Sequence, residues 1–175
     1  MASKKTSTFY LTERLTCTTG GTPVTATIDL GAYVDVADRQ AIAIEEVDFI
    51  IQGTTADEEV AAATGVNNTV FAQLSDLNRG GTLQFADDRA LVASGTMHVD
   101  ANSGYYNATD MYPDVFGARN GVRLVVNDQL YLTAESSGIA SNKAVNVTVR
   151  VKAHVAGLTA KDWMAIAIQS TAADN

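Results

Sequence analysis

Two histidines, one cysteine and a few clustered carboxylates are the side chains of this 175-residue chain best suited to catalysis or metal binding. In "TMHVD", His98 stands two places before Asp100, so a strand would put both on one face. That makes two ligands where a metal site needs three or four. No HxxxH or HExxH spacing supplies the rest, and His98 and His154 read as surface or interface histidines. In "DANSGYYNATD", Asp100, Asn102 and Asp110 are weak candidates to offer oxygens to calcium, with Gly104 at a sharp turn. The closing bidentate Glu of a calcium loop is missing, so an ordinary polar loop is the favoured reading and no metal or other cofactor is expected.

The remaining chemistry is sparse. Cys17 lies in the alternating run "TERLTCTT", the setting of a buried small hydrophobe rather than of a nucleophile. Adjacent carboxylates, as at Glu45 and Glu46, point to opposite sides of a regular strand and cannot share one cleft as acid and base. There is no GxSxG elbow and no phosphate loop, since "NRGGT" and "TGGTP" are turns. An enzyme is not expected.

Binding residues are easier to name. Tyr105, Tyr106, Tyr112 and Phe116 crowd residues 100 to 121, where Gly, Asn, Asp and Pro also cluster. Such aromatics suit a protein interface more than a sugar platform. In "AVNVTVRVKAHVAG", apolar residues alternate with Asn146, Thr148, Arg150, Lys152 and His154, so one face of a strand carries a basic cluster. The formal net charge is -8, and three basic residues are too few for a nucleic-acid stripe. Arg150, Lys152 and His154 are therefore expected on a solvated sheet face that can pair with a neighbouring copy's Asp or Glu.

These residues sit on strands almost throughout. Strand patterns run over 6 to 17, 24 to 36 (with Gly31 a possible bulge), 41 to 52, 89 to 99 and 144 to 157, with "NTVFAQL", "TLQFA", "VRLVV" and "QLYLTAES" as shorter ones. The apolar phase of 41 to 52 breaks at Glu45 and Glu46, which predicts a β-bulge. Thr55 and Glu58 form a capping box for a short helix near 56 to 63 that Gly65 would stop, and Thr159 can cap a second helix from "AKDW", the favoured reading over a terminal strand in "WMAIAIQS". Residues 100 to 121 read as one long loop. Strands without regular helical crossovers give one domain over 1 to 175, an all-β antiparallel sandwich. Several strands run to about 12 residues or roughly 40 Å at ~3.3 Å each, and this favours a jelly roll of about eight strands.

With its long strands, Thr/Val/Ala-rich makeup, inserted helix and one elaborate loop, the chain resembles the single jelly-roll capsid proteins of tailless icosahedral viruses. The resemblance is architectural and carries over no residue. It implies a virion structural protein, a self-assembling capsid subunit that associates with itself and with other virion proteins. Alternatives are a phage decoration, tail or filament subunit, and a carbohydrate-binding sandwich module. Residues 1 to 20 lack the apolar core of a signal peptide, so synthesis in the host cytoplasm and residence in the virion are expected. No run approaches the ~18 apolar residues of a membrane span. Without a basic arm, direct packaging of nucleic acid is not expected.

Overall fold

The computed structural model describes residues 3–65, 67–100, 102, 105–112 and 122–171. Along them run β1 (Ser3–Lys4), β2 (Phe9–Cys17), β3 (Val24–Asp29), β4 (Gln40–Gln52), α1 (Val60–Thr64), β5 (Asn68–Ser75), β6 (Leu91–Asp100), β7 (Tyr105–Tyr112), β8 (Arg123–Val125), β9 (Gln129–Ser136), β10 (Val145–Gly157) and α2 (Ala160–Thr171). The first sheet has the order β1-β10-β4-β8, with β2 also pairing with β10. The second runs β3-β9-β5-β6-β7. If β1 and β7 are set aside and the other eight strands are counted along the chain, the sheets read first-eighth-third-sixth and second-seventh-fourth-fifth. That interleaving is the two-Greek-key jelly roll, an all-β antiparallel sandwich.

Alternation in the sequence becomes two-facedness in the sheets. Along β10, Val145, Val147, Val149, Val151, Ala153 and Val155 are buried, and they meet Val70, Ala72 and Leu74 of β5 and Leu130, Leu132 and Ala134 of β9 in one core. Full burial of each such Val or Leu contributes about 1.5–3 kcal/mol, the main term opposing the chain entropy lost on folding. The predicted bulge is present: Lys152 faces Glu46 and Ala153 faces Ile44, so Glu45 has no opposite number on β10. The extra residue lets Ile42 and Ile44 join Val47 in the core. Where the turn after β2 meets the loop after β9, a Cβ on Gly20 would lie 2.9 Å from the Gly138 backbone, so this close approach requires glycine.

Several local expectations are corrected. The first helix spans Val60–Thr64 rather than 56 to 63, because the Thr55 hydroxyl donates to Asp57 and the Glu58 carboxylate accepts from the Thr54 N–H and from Lys143. The capping residues thus bind elsewhere, although Gly65 ends the helix as expected, at φ 82. The strand of 24 to 36 ends at Asp29, whose Oδ1 accepts the Gly31 N–H at 2.8 Å and turns the chain instead of bulging it. "TLQFA" is no strand: the Gln73 side chain donates to the Gln84 carbonyl and accepts from its N–H, both at 2.7 Å, replacing a ladder. Residues 100 to 121 are not one loop, since Tyr105–Tyr112 pairs along β6 from Asp100 back to Ser94. Its aromatic and Thr content suits the edge that β6 offers, and the strand overrides the turn-like composition on either side.

The C-terminal segment is helical, begun by the Thr159 hydroxyl accepting the Asp162 N–H at 3.2 Å. Its Trp163, Ile166 and Ala167 pack on Ala41, Leu124, Val126 and Leu158, outside the first sheet.

Candidate functional site

The basic cluster lies on the outer face of the first sheet, opposite acids supplied by the same chain. In register, Arg150 faces Asp48 and Lys152 faces Glu46 on β4, and the bulge brings Glu45 beside His154. The Lys152–Glu46 pair is 3.4 Å, and His154 Nδ1 is 2.8 Å from Glu45 Oε1. The Thr8 hydroxyl donates to the same Glu45 oxygen, and Lys4 stands 3.7 Å away. Burial tends to raise the Glu45 carboxyl, but the His154 and Thr8 hydrogen bonds and the Lys4 charge outweigh it and hold the group below its ordinary value. Arg150 stacks its guanidinium 5.1 Å from the centre of the Tyr10 ring. Lys152 and His154 thus have acidic partners within their own chain. Sequence reading missed this because cross-strand register, which pairs residues over 100 positions apart, is a tertiary property.

A second polar cluster anchors residues 76 to 90, the connection from β5 to β6. Arg123 lies 3.3 Å from Asp76 Oδ2 and donates to the Arg89 carbonyl at 2.6 Å, while Arg79 pairs with Asp88 at 3.0 Å. The Asp76 side chain is only 4% exposed, and its Oδ1 has no hydrogen-bond partner among the described residues. Burial pushes its carboxyl above the ordinary range, with Arg123 pulling it partly back. Beside it is a cavity of about 200 Å³ lined by Asp76, Asn78, Asn127, Asp128, Gln129 and Tyr131. Asn127 donates to the Asp76 carbonyl and the Tyr131 hydroxyl to Gln129, so these groups hold the connection in place. Nothing in the sequence pairs Asp76 with Arg123; the signal was only a carboxylate just past an apolar strand.

The other candidates are scattered. His98 bonds the Thr69 hydroxyl at 3.0 Å on the second sheet, whereas His154 belongs to the first. The Asp100 carboxylate accepts the Asn102 N–H at 3.0 Å, closing the turn after β6. Asp110 pairs by its backbone with Gly95, five residues along β6 from Asp100, which at ~3.3 Å per residue is roughly 17 Å. The proposed calcium oxygens are therefore not gathered at one point. Among the described residues, no three His, Cys, Asp or Glu side chains are grouped to hold a metal. Tyr106 is exposed on β7, Tyr105 and Tyr112 are described there by their backbone, and Phe116 lies outside the described residues. Cys17 is buried, and burial, reinforced by the charge of Glu135, pushes its thiol up to about 11, leaving it unreactive.

Sequence reading also missed the large apolar side chains left in water. Phe85 is 87% exposed, and Met164 and Ile168 on α2 are 59% and 62% exposed. The signal was available in "WMAIAIQ", which is apolar almost all round and so cannot bury every side against one sheet.

No known protein family and no curated protein matches this sequence. Among solved structures, the unassembled pentamer of Merkel cell polyomavirus VP1 is 11% identical at a TM-score of 0.43, covering 90% of this chain and 98% of that one. The human polyomavirus 6 VP1 pentamer is 11% identical at 0.40, covering 87% and 95%. A desmodium yellow mottle tymovirus structure is 11% identical at 0.39, covering 88% and 90%. The jelly-roll assignment rests on strand order.

Proposed function

We propose that the chain is a structural subunit of a virion shell, built by association of many copies. The observation that carries this reading is the doubly apolar α2: Trp163 and Ile166 pack on the sandwich while Met164 and Ile168 face outward. A helix apolar on both sides is half-covered in a monomer and fully covered only in an assembly. Jelly rolls are a recurrent fold of viral shells, and the acidic balance of the chain disfavours nucleic acid as a direct ligand. Residence in a virion, association with other virion proteins and a purely structural, non-enzymatic role belong to the same proposal, as do contacts through Tyr106 and Arg150.

Size-exclusion chromatography with light scattering, followed by electron microscopy at high protein concentration, tests it. Regular particles or rings are the expected result. A chain that stays strictly monomeric under those conditions overturns the proposal.

A further inference from the structure

Phe85 sits on a loop that lies across the outer face of the second sheet. Its neighbour Gln84 is held to Gln73, whose side chain leaves the sheet on the side away from the core strand residues Val70, Ala72 and Leu74. Farther along, Asp88 is fixed by Arg79 at 3.0 Å and by the Ala90 N–H at 2.8 Å. The loop therefore presents an 87%-exposed aromatic ring from a backbone already immobilised at both sides. A pre-ordered aromatic loses little entropy on docking and makes an effective interface anchor.

On the opposite face of the sandwich, outside the first sheet, α2 exposes Lys161, Met164, Ala165 and Ile168, positions spaced to form one stripe. Thioether sulfur packs well on an aromatic ring. The charges match as well: Asp87 is exposed two residues after Phe85, and Lys161 is exposed three before Met164. Between copies that each carry a net charge of -8, a contact placing an acid opposite a lysine avoids repulsion.

We propose that the Phe85 loop of one copy docks on the Lys161–Met164–Ile168 stripe of a second copy, with Asp87 facing Lys161. This inference rests on the self-association reading and names its contact. Knob and stripe lie on opposite faces, so one partner cannot cover both. The contact is head-to-tail and propagates into a ring if its rotation closes and into a helical filament if it does not.

The test uses the full chain. Phe85→Asp and Met164→Asp should each shift the concentration for assembly upward by about 30-fold or more, the scale of losing an interface anchor. Their urea midpoints should match the wild type, and Phe85→Ala serves if either aspartate variant fails to fold. An equimolar mixture of the two variants should give a heterodimer and stop there, because one retains the stripe and the other the knob. Asp87→Lys and Lys161→Asp should each weaken assembly and together restore it. Phe85→Asp assembling at the wild-type concentration, or a folded mixture with no heterodimer, overturns this contact while leaving self-association standing. A wild-type chain that remains monomeric overturns both.

Discussion

On the outer face of the first sheet, Lys152 and Glu46 form a pair whose side chains are 35% and 37% exposed; where the connection after β5 meets the edge strand β8, Asp76 pairs with Arg123 at 4% and 29%. The distances are similar, 3.4 and 3.3 Å, yet the surroundings differ. In water, the attraction of the first pair is screened and offset by side-chain entropy. In the second, removing Arg123 strands the Asp76 charge with little solvent to receive it. The outer face carries charges that the protein tolerates; the cluster at β8 uses them to fix a 15-residue connection from Asp76 to Ala90 so that Phe85 stands in solvent.

The sharpest way to break this contrast is Arg123→Met. Leaving Asp76 buried and unpaired should cost about 3 kcal/mol, read as a lower urea midpoint. Because burial raises the folded-state pKa of Asp76, its contribution is full below the ordinary carboxylate pKa and is lost as pH rises through the folded value. The gap between variant and wild type should accordingly narrow as pH falls and Asp76 takes up its proton. No narrowing would mean that Asp76 is not the group responsible.

Gln73→Ala removes both hydrogen bonds to Gln84 and should cost about 1–2 kcal/mol, with faster amide exchange at Gln84. Slow exchange retained there would show that the loop is held by its ion pairs alone. At the corner between β4 and the β9–β10 loop, the Lys143 hydrogen bond, helped by the Thr54 N–H, holds the Glu58 carboxyl down to about 2. This lowered value adds stability that is complete above the ordinary 4.5 and lost as pH falls from there toward about 2. Lys143→Met should flatten that acid limb of a pH-stability curve. The smallest effect belongs to the first face: Lys152→Met should change stability by no more than about 0.5 kcal/mol. A loss as large as that of Arg123→Met would erase the distinction between the two pairs.

The strands most legible in the sequence were those with a strict period of two. β9 was read at its observed bounds, and β10 within a residue of them, because alternation encodes a buried and a wet face directly. The bulge at Glu45 was legible for the same reason: a broken phase must be repaired if both halves face one core. β7 was not legible, since its Asn and Asp residues read as turn formers and its pairing depends on an edge supplied by β6. "TLQFA" failed in the opposite direction, for its strand-like composition meets a Gln73 side chain instead of a neighbouring strand.

From the sequence alone came the fold class, the long two-faced strand at the C-terminal end of the chain's β region and the presence of a basic row on it. All of these are local consequences of which side chains avoid water. Tertiary structure decided who faces that row. Glu46 and Asp48 stand opposite Lys152 and Arg150 because antiparallel register joins β4 to β10, the bulge brings Glu45 beside His154, and the acids and bases that meet there are more than 100 residues apart. It likewise decided that Phe85 and Met164 face outward on opposite sides of the sandwich. Whether an apolar side chain is covered depends on what else folds over it, and periodicity along a strand or helix does not carry that information.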